Sequence, residues 1–502
     1  MKKGVIRMSK SMQEDGRCVL TLPLLVEPYQ EHILEKRFKI LEHLHNSLVA
    51  YELRKLKNLQ RTRAYRELEQ QIKDTPREKR APLYGQRQKM LSDSGFSEFA
   101  FKDDVTPMQK HFVEHIASHV AHRVASDVWR AFEKHLYHGA KKVHFKRRDT
   151  LMSAANQQAG ISMSYDGQFF RWNGGRSRNK ILLKIRVQHP ETDYEKQMIG
   201  KEIKYFRVIR KWMKTRYKYY LQFTLVGQPV QKARPIAPGR VGIDIGTQSI
   251  AIASSQSVHL LELANRVNDN HAKLLVLQRK MDASRRVTNP DNYNPDGTIR
   301  RGVKLRWVKS NRYKKLAAQV RELQRKNADI RKYQHTCLAN SILALGTEVY
   351  VEPMDYKALQ RRAKKTTKNA QGRFNRKKRF GKSLANKAPA MFLTILEGKL
   401  SLCGGALHRV HKWEYKASQY DHLSQQYNKK KLSQRRTVLG NGDAVQRDLY
   451  AAFLIMNADG SLARPDQAAC DLGYPDFKRL HDQEITRIMN DPHRHLSSFG
   501  IA

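Results

Sequence analysis

The chain has 502 residues and carries 95 Lys and Arg against 47 Asp and Glu, a formal net charge of +48 with a pI near 10.2. Such an excess repels itself unless a polyanion neutralises it, which points to nucleic acid and away from a soluble small-metabolite enzyme. The length predicts two to four domains. No apolar run approaches the roughly 20 residues of a membrane span, so no membrane partner is expected.

Taken in chain order, RCVLTLPLLV (17–26) reads as a strand. Acidic and polar residues separate it from the basic start, MKKGVIRMSKSMQEDGR, so a signal peptide is not expected. From Tyr29 to Lys73 apolar residues such as Ile33, Phe38, Leu41, Leu48 and Leu56 recur at helical spacing. Pro76 and Pro82 are expected to break that helix, and a second is predicted from about Pro107 to Tyr137. Between Lys141 and Val226 short β-like runs follow one another, KKVHF, GISMSYDG, QFFRW, KILLKIRV, YFRVIRKW and YYLQFTLVG, the pattern of a small barrel or sheet. A Pro-rich linker (227–240) leads into VGIDIGTQSIAIAS. Two basic helical stretches, about 264–288 and 309–345, flank a turn-rich loop and predict a helical hairpin. EVYVEP (348–353) is a strand, and NKAPAMFLTILEGKL is helical. Beyond strand-like ALHRVHKWE and a polar stretch, a helix begins near Gln446, and a short helix is predicted around 477–490. Four cysteines stand far apart with no CxxC pair, so disulfides and a four-cysteine zinc site are not expected and a reducing cytoplasm is the natural setting, on the nucleoid when bound to DNA.

Three carboxylates stand out. In VGIDIG, Val241, Ile243 and Ile245 share one strand face while Gly242, Asp244 and Gly246 share the other. The carboxylate therefore lies on a face cleared by glycine, with room for a metal or phosphate. In EVYVEP, Glu352 sits at the strand end on the face of Tyr350. In VQRDLYAAFLIMNA, Asp448, Ala451, Ala452 and Ile455 follow i, i+3, i+4, i+7, so Asp448 opens the inward stripe of a helix. An Asp on a first strand, a Glu ending a later strand and an Asp opening a late helix form the layout of ribonuclease-H-like nucleases. Close carboxylates repel by roughly 4 kcal/mol per pair at an effective dielectric near 20. Divalent cations remove that cost, and two Mg²⁺ ions (or Mn²⁺) about 3.5–4 Å apart would suit phosphodiester hydrolysis. Taken singly, Asp448 could serve only the helix dipole and Glu352 only an exposed strand end. Asp443 and Asp355 are competing carboxylates, read as a turn residue and a residue past the strand.

VGIDIGTQSIAIAS, VYVEPMDYKAL and QRDLYAAFLI resemble the three RuvC motifs of the TnpB family of transposon-encoded RNA-guided nucleases and their descendants, the compact type V CRISPR effectors. KYFRVIRKWMKTRYKYYLQFTLVG and NPDNYNPDGTIRRG are similar to a longer-chain branch of that family. The resemblance implies Asp244, Glu352 and Asp448 as catalytic Mg²⁺ ligands, a guide RNA, a double-stranded DNA target with a displaced strand, and a monomer bound to RNA. It implies a multi-domain fold combining an α/β ribonuclease-H-like (RuvC) domain with a wedge-like β-barrel interrupted by a helical recognition domain. In this chain those parts are the first barrel strand (1–28), the helical domain (29–140), the barrel (141–238), RuvC (239–414, with a helical insertion at 264–345) and its C-terminal helix and tail (443–502). Residues 415–442 stand where the family carries a zinc ribbon, but they contain no cysteine, so zinc is not expected.

The run 361–382 holds eleven basic residues and no acidic one. Lys364, Lys365, Arg373, Phe374, Arg376, Lys377, Lys378 and Arg379 are its candidate nucleic-acid contacts, by charge and stacking. A solvated basic loop is the plain alternative. His111, His115, His119 and His122 are spaced to share one face of the second helix, without a partner that would make them a metal site. DIGTQS also looks like the first phosphate loop of actin-like sugar kinases. Those folds need a second glycine-rich loop and a late Gly-Gly motif, and the only late pair is Gly404-Gly405. An RNA-guided binder that silences without cutting, and a DNA-joining transposase, remain alternatives.

Overall fold

The computed structural model describes residues 16–231, 234–361, 367, 369–372, 380–429, 431, 434–492 and 495–501. It divides into two compact units, 1–232 and 233–502, of mixed α and β structure.

In the first unit β1 (Arg17–Leu25) is followed by α1 (Pro28–Arg61), α2 (Arg63–Asp74), α3 (Ala81–Asp93), α4 (Glu98–Lys110) and α5 (Ser118–Tyr137). Then come β2 (Ser153–Ala155), β3 (Met163–Tyr165), β4 (Phe169–Asn173), β5 (Leu182–Val187), α6 (Asp193–Ile199), β6 (Ile203–Met213) and β7 (Arg216–Val226). The strands form one seven-stranded sheet, β2-β6-β7-β1-β5-β4-β3, in which β1 pairs antiparallel with both β7 and β5. Alternate residues of β1 (Cys18, Leu20, Leu22, Leu24) are buried against Leu34, Phe38 and Leu41 of α1 in the same core. Three local expectations change here. Pro82 opens α3 instead of breaking a helix, because the first helical turn has no bonded N–H for proline to forfeit. The second long helix is two, with α4 ending at Lys110 and α5 starting at Ser118. His111 and His115 lie in the break and His119 and His122 on α5, so the four do not share one helical face. KKVHF forms no strand.

In the second unit β8 (Arg240–Ile245), β9 (Ser249–Ser254) and β10 (Val258–Glu262) form an antiparallel meander. The hairpin α7 (His271–Thr288) and α8 (Asn311–Leu343) leads to β11 (Glu348–Val351) and α9 (Tyr356–Gln360). Then follow α10 (Gly381–Lys387), α11 (Pro389–Leu402), β12 (Ala406–Arg409) and α12 (Lys412–Tyr415). Two small hairpins, β13 (Tyr420–Asp421) with β14 (Gln426–Tyr427) and β15 (Arg436–Val438) with β16 (Ala444–Gln446), precede α13 (Arg447–Met456) and α14 (Gln467–Asn490). The sheet order is β10-β9-β8-β11-β12, with β11 parallel to both β8 and β12. Val241, Ile243, Val349 and Val351 face a core shared with α8 and α11. Ala251 and Ala253 face the other core, built mainly from α13 and α14. α14 begins ten residues earlier than the sequence suggests; Pro475 sits exposed within it, where the carbonyl it leaves unbonded can reach water.

Among the described residues no helix is long and apolar enough to cross a membrane.

Candidate active site

Asp244 lies on β8, paired with Ala251 across the hairpin, on the side of the sheet that α13 covers. Gly242 explains how close that cover is. A Cβ at Gly242 would stand 2.0 Å from the Ala452 carbonyl oxygen and 2.4 Å from the Met456 nitrogen. The glycine therefore makes room for the backbone of α13, not for a ligand, which corrects the sequence reading. At Gly246 an added Cβ meets only Ser249, at 3.4 Å.

The same helix brings in Asp448 in its first turn, with the Gln446 side chain accepting from the Leu449 N–H as N-cap. Glu352 follows the last residue of β11. Asp244, Glu352 and Asp448 thus come from three elements and line one cavity of about 760 Å³. Asp443 and Asp355 are engaged elsewhere: Asp443 accepts from Tyr474 Oη at 2.7 Å, and Asp355 caps α9 by accepting from the Ala358 N–H at 2.9 Å.

The electrostatics of the three are those of a crowded anionic cluster. Asp244 keeps part of its surface open, yet protein encloses its carboxyl. Burial first, then the negative charges of Asp448 and Glu352, push its pKa well above the ordinary value, against the pull of Arg447 and Arg435. Burial also raises Glu352, with Lys412 opposing. Asp448 is gripped by arginines: Arg447 donates through Nε and Nη2 to Oδ1 at 3.1 and 3.0 Å, and Arg435 lies 3.5 Å from Oδ2.

An all-oxygen donor set, in which the Asp244 and Glu352 carboxyls are raised, fits a hard divalent cation in chemistry. Among the described residues, however, no three Asp, Glu, His or Cys side chains converge into a metal-binding group, and Asp448 faces Arg435 and Arg447.

Sequence reasoning did not find the cationic lining, Lys412, Arg435 and Arg447, or Ser418 and Ser498, whereas Phe380 belongs to the basic run that the sequence reading places near the active site. Ser498 Oγ is buried without a hydrogen-bond partner, and it comes from the C-terminal stretch that carried little pattern. Tyr356 Oη is likewise buried and unpartnered, close enough to Asp244 for that charge to oppose its ionisation after burial itself. The basic-run candidates Lys364, Lys365, Arg373, Phe374, Arg376, Lys377, Lys378 and Arg379 lie outside the described residues.

The cysteine-free stretch 415–442 is held by side chains. Asp421, 5% exposed, accepts from Leu423 N (3.1 Å) and Ser424 Oγ (2.9 Å) in its own turn and from Gly440 N (3.0 Å) in the turn of the other hairpin. His422, fully buried, donates its backbone N–H to Tyr450 Oη at 3.0 Å, and its Nδ1 lies 2.5 Å from the same hydroxyl. Tyr450 is two residues from Asp448 on α13.

No protein-family profile matches the chain, and no curated protein does. Among solved structures, a Cas12f1–sgRNA–target DNA complex is similar over 88% of this chain and 99% of its own, at 11% identity and a TM-score of 0.47. A CRISPR-Cas12f ternary complex matches over 85% of this chain and 82% of its own, at 13% identity and a TM-score of 0.27. Both likenesses are remote, and the reading of the site rests on its own residues.

Proposed function

We propose that the chain is an RNA-guided endonuclease of double-stranded DNA with one ribonuclease-H-like hydrolytic site at Asp244, Glu352 and Asp448. The observation that carries this reading is that three carboxylates from separate segments line one cavity whose other charged side chains, Lys412, Arg435 and Arg447, are cationic. The motif resemblance and the charge of +48 support nucleic acid as the substrate and guide RNA as a partner. Asp244, Glu352 and Asp448 would hold Mg²⁺ or Mn²⁺, which supplies a neutralising charge and an activated water when bound. The arginines and Lys412 draw the phosphodiester backbone into the cavity, and the half-exposed Phe380 ring offers a stacking surface for an unpaired base. By the same resemblance the first unit holds the wedge-like barrel and the helical recognition domain.

The test is to purify the protein with RNA expressed from its own locus and challenge it with DNA matching that RNA beside a library of short flanking motifs, because in the family it resembles the guide pairs next to a short motif that the protein reads. One motif should be depleted in Mg²⁺, and Asp244→Ala and Asp448→Ala should abolish cutting while leaving target binding intact. If no motif is depleted and Asp244→Ala behaves as wild type, the nuclease reading fails. A second reading, a guided binder that does not cut, is favoured by the arginine grip on Asp448; motif-specific binding without cleavage in Mg²⁺ would select it.

A further inference from the structure

The first unit contains a cavity of about 370 Å³ that the hydrolytic site leaves unexplained. It lies between α1, α5 and the stretch that follows α5. Its size falls at the lower end of the roughly 300–1,000 Å³ typical of small-ligand sites. Its wall is divided in character. Leu41, Val120, Val124, Val143 and Leu151 are its apolar lining, whereas Arg123, Lys134, Lys142 and Lys146 bring positive charge. The one acid in the lining, Asp127, is already paired, at 3.0 Å with Arg130 and 3.7 Å with Arg123. A purely structural void needs no such cations, and a simple anion site needs no apolar wall. The pair of features suits a ligand with a flat apolar body and an anionic end.

Polar atoms await a partner there. His45 is 8% exposed, lines the cavity, and its Nδ1 is buried without a hydrogen bond. Arg123 Nε is also buried without a hydrogen bond, held only by the 3.7 Å ion pair with Asp127, and its guanidinium lies 5.3 Å from the Tyr205 ring centre. Burial, with the charge of Lys146 next, lowers the His45 pKa, so the imidazole is neutral at pH 7 and presents both a donor and an acceptor.

The site is also built in advance. The stretch after α5 pairs with no strand, yet α1 fastens it at two points. Asn46 donates Nδ2 to the Lys146 carbonyl (2.9 Å) and accepts from the Lys146 N–H (2.8 Å). One turn earlier, Glu42 accepts from the N–H groups of Asp149, Thr150 and Leu151 at 3.2, 3.1 and 3.3 Å. His45 lies beside the first of these clasps. Ordering costs are thus met before any ligand arrives.

We propose that this cavity takes one unstacked nucleotide of a bound strand, its base against the apolar wall beside His45 and its phosphate on Lys134, Lys142 and Lys146. This inference rests on the nucleic-acid reading above. What favours a strand over a free nucleotide is the approach: KKVHFKRR (141–148) carries exposed cations on both sides of Phe145, which is itself 52% exposed. A strand following that stretch by charge and stacking delivers a base at the cavity mouth. Extruding one base from a stack carries a cost that a fitted pocket can return.

The test uses the full-length protein and a short single-stranded oligonucleotide in which one 4-thiouracil base is moved position by position. Crosslinked peptides are mapped after long-wave irradiation. Crosslinks are expected in the segments 120–124 and 143–146. Val124→Trp fills the cavity from α5, and Ala131→Leu fills it from two turns further along the same face, so that one variant remains if the other misfolds. Each should lower those crosslinks by about tenfold or more, while melting temperature holds and total binding falls by less than about threefold. Lys142→Ala, at an exposed site, should weaken binding at low salt and reduce the salt slope by about 0.7. Crosslinks that persist in both filled variants, or an oligonucleotide that binds without crosslinking there, overturn the proposal and leave the nuclease reading standing. A protein that binds no oligonucleotide at all overturns both. Added GMP or AMP that displaces the crosslink at lower concentration than the unlabelled strand assigns the cavity to free nucleotides and overturns the strand assignment.

Discussion

Gly242→Ala isolates the geometry that makes the site. The added methyl would lie 2.0 Å from the Ala452 carbonyl oxygen, 2.4 Å from the Met456 nitrogen and 2.8 Å from the Met456 Cβ. The first two are backbone atoms of α13 or its end, so no rotamer change relieves the clash and the helix must retreat by about 1 Å or more. Overpacking of this kind costs about 1–3 kcal/mol, which for a unit of this size lowers Tm by roughly 3–10 °C. Asp448 sits one turn before Ala452 and moves with it. A displacement of about 1 Å at a reacting centre is enough to cost on the order of 100-fold in rate. Gly246→Ala is the control, because its Cβ meets Ser249 Oγ at 3.4 Å and the Ser249 carbonyl at 3.6 Å, ordinary contacts. Thermal unfolding gives the readout that needs no assumption about function; cleavage and RNA binding, measured on the same samples, give the second. Gly242→Ala should lose stability and cutting while still binding RNA, and Gly246→Ala should lose little. The reverse ranking would show that the glycines clear space for a ligand and would refute the packing account.

Asp244→Asn should raise the Tm of the metal-free protein, since a buried charge and its repulsions disappear. The sign follows from the raised carboxyl: this residue's contribution is full below its unfolded pKa, near 3.8, and is lost as pH rises through the folded value. Mg²⁺ at about 100 times its Kd should stabilise the wild type by about 2.7 kcal/mol and the Asn variant far less; equal shifts would place the cation elsewhere. In the first unit, Glu52 has no exposed side-chain surface, and burial, with Asp104 beside it, pushes its pKa up to about 8 against the pull of Lys55. Wild-type stability should therefore fall between about pH 4.5 and 8 relative to Glu52→Gln, by about 1.4 kcal/mol per pH unit at the steepest, and a gap independent of pH would contradict this. Asp421→Ala strands the Gly440 and Leu423 N–H groups, at about 1–3 kcal/mol for each that stays buried. Limited proteolysis should then cut within 421–442, and chelators should not reproduce that cutting in the wild type.

Much of the second unit is legible because period and burial coincide. The alternation in VGIDI and EVYV assigns Val241, Ile243, Val349 and Val351 to one core, and the stripe Ala451, Ala452, Ile455 faces the other. What the pattern cannot show is what approaches a face. Gly242 reads as open space in one dimension and is a helix contact in three. Periodicity also runs on through the break between α4 and α5, because His111 and His115 keep helical spacing where the backbone does not. The cavity cations Arg435 and Lys412 sit in segments whose exposed charges look like many others in a chain this basic. Asp421 and His422 were equally silent, since a lone Asp-His pair says nothing about a turn 19 residues away at Gly440.

The arrangement around Asp244 sets packing against charge. Crowded carboxylates would push α13 away from β8, but the helix is anchored on its far side. Tyr450 and Phe453 are buried on α13, and Phe453 stacks on Phe477 of α14 with ring centres 4.5 Å apart. His422 holds the Tyr450 hydroxyl, and the clash at Gly242 shows that the two backbones are already in contact. Retreat would open an aromatic core, where the loss of one large side chain typically costs about 3–5 kcal/mol, so repulsion of a few kcal/mol does not move the helix. Relief has to come as positive charge. Arg447 supplies some from α13 itself, and Arg435 supplies more from the stretch that Asp421 and His422 hold in place. A divalent cation among the same carboxylates competes with these guanidinium groups, so the firmness of the metal-free insert and the metal affinity of the site are physically linked: loosening Asp421 should ease Arg435 away from Asp448 and strengthen Mg²⁺ binding even as it destabilises the fold.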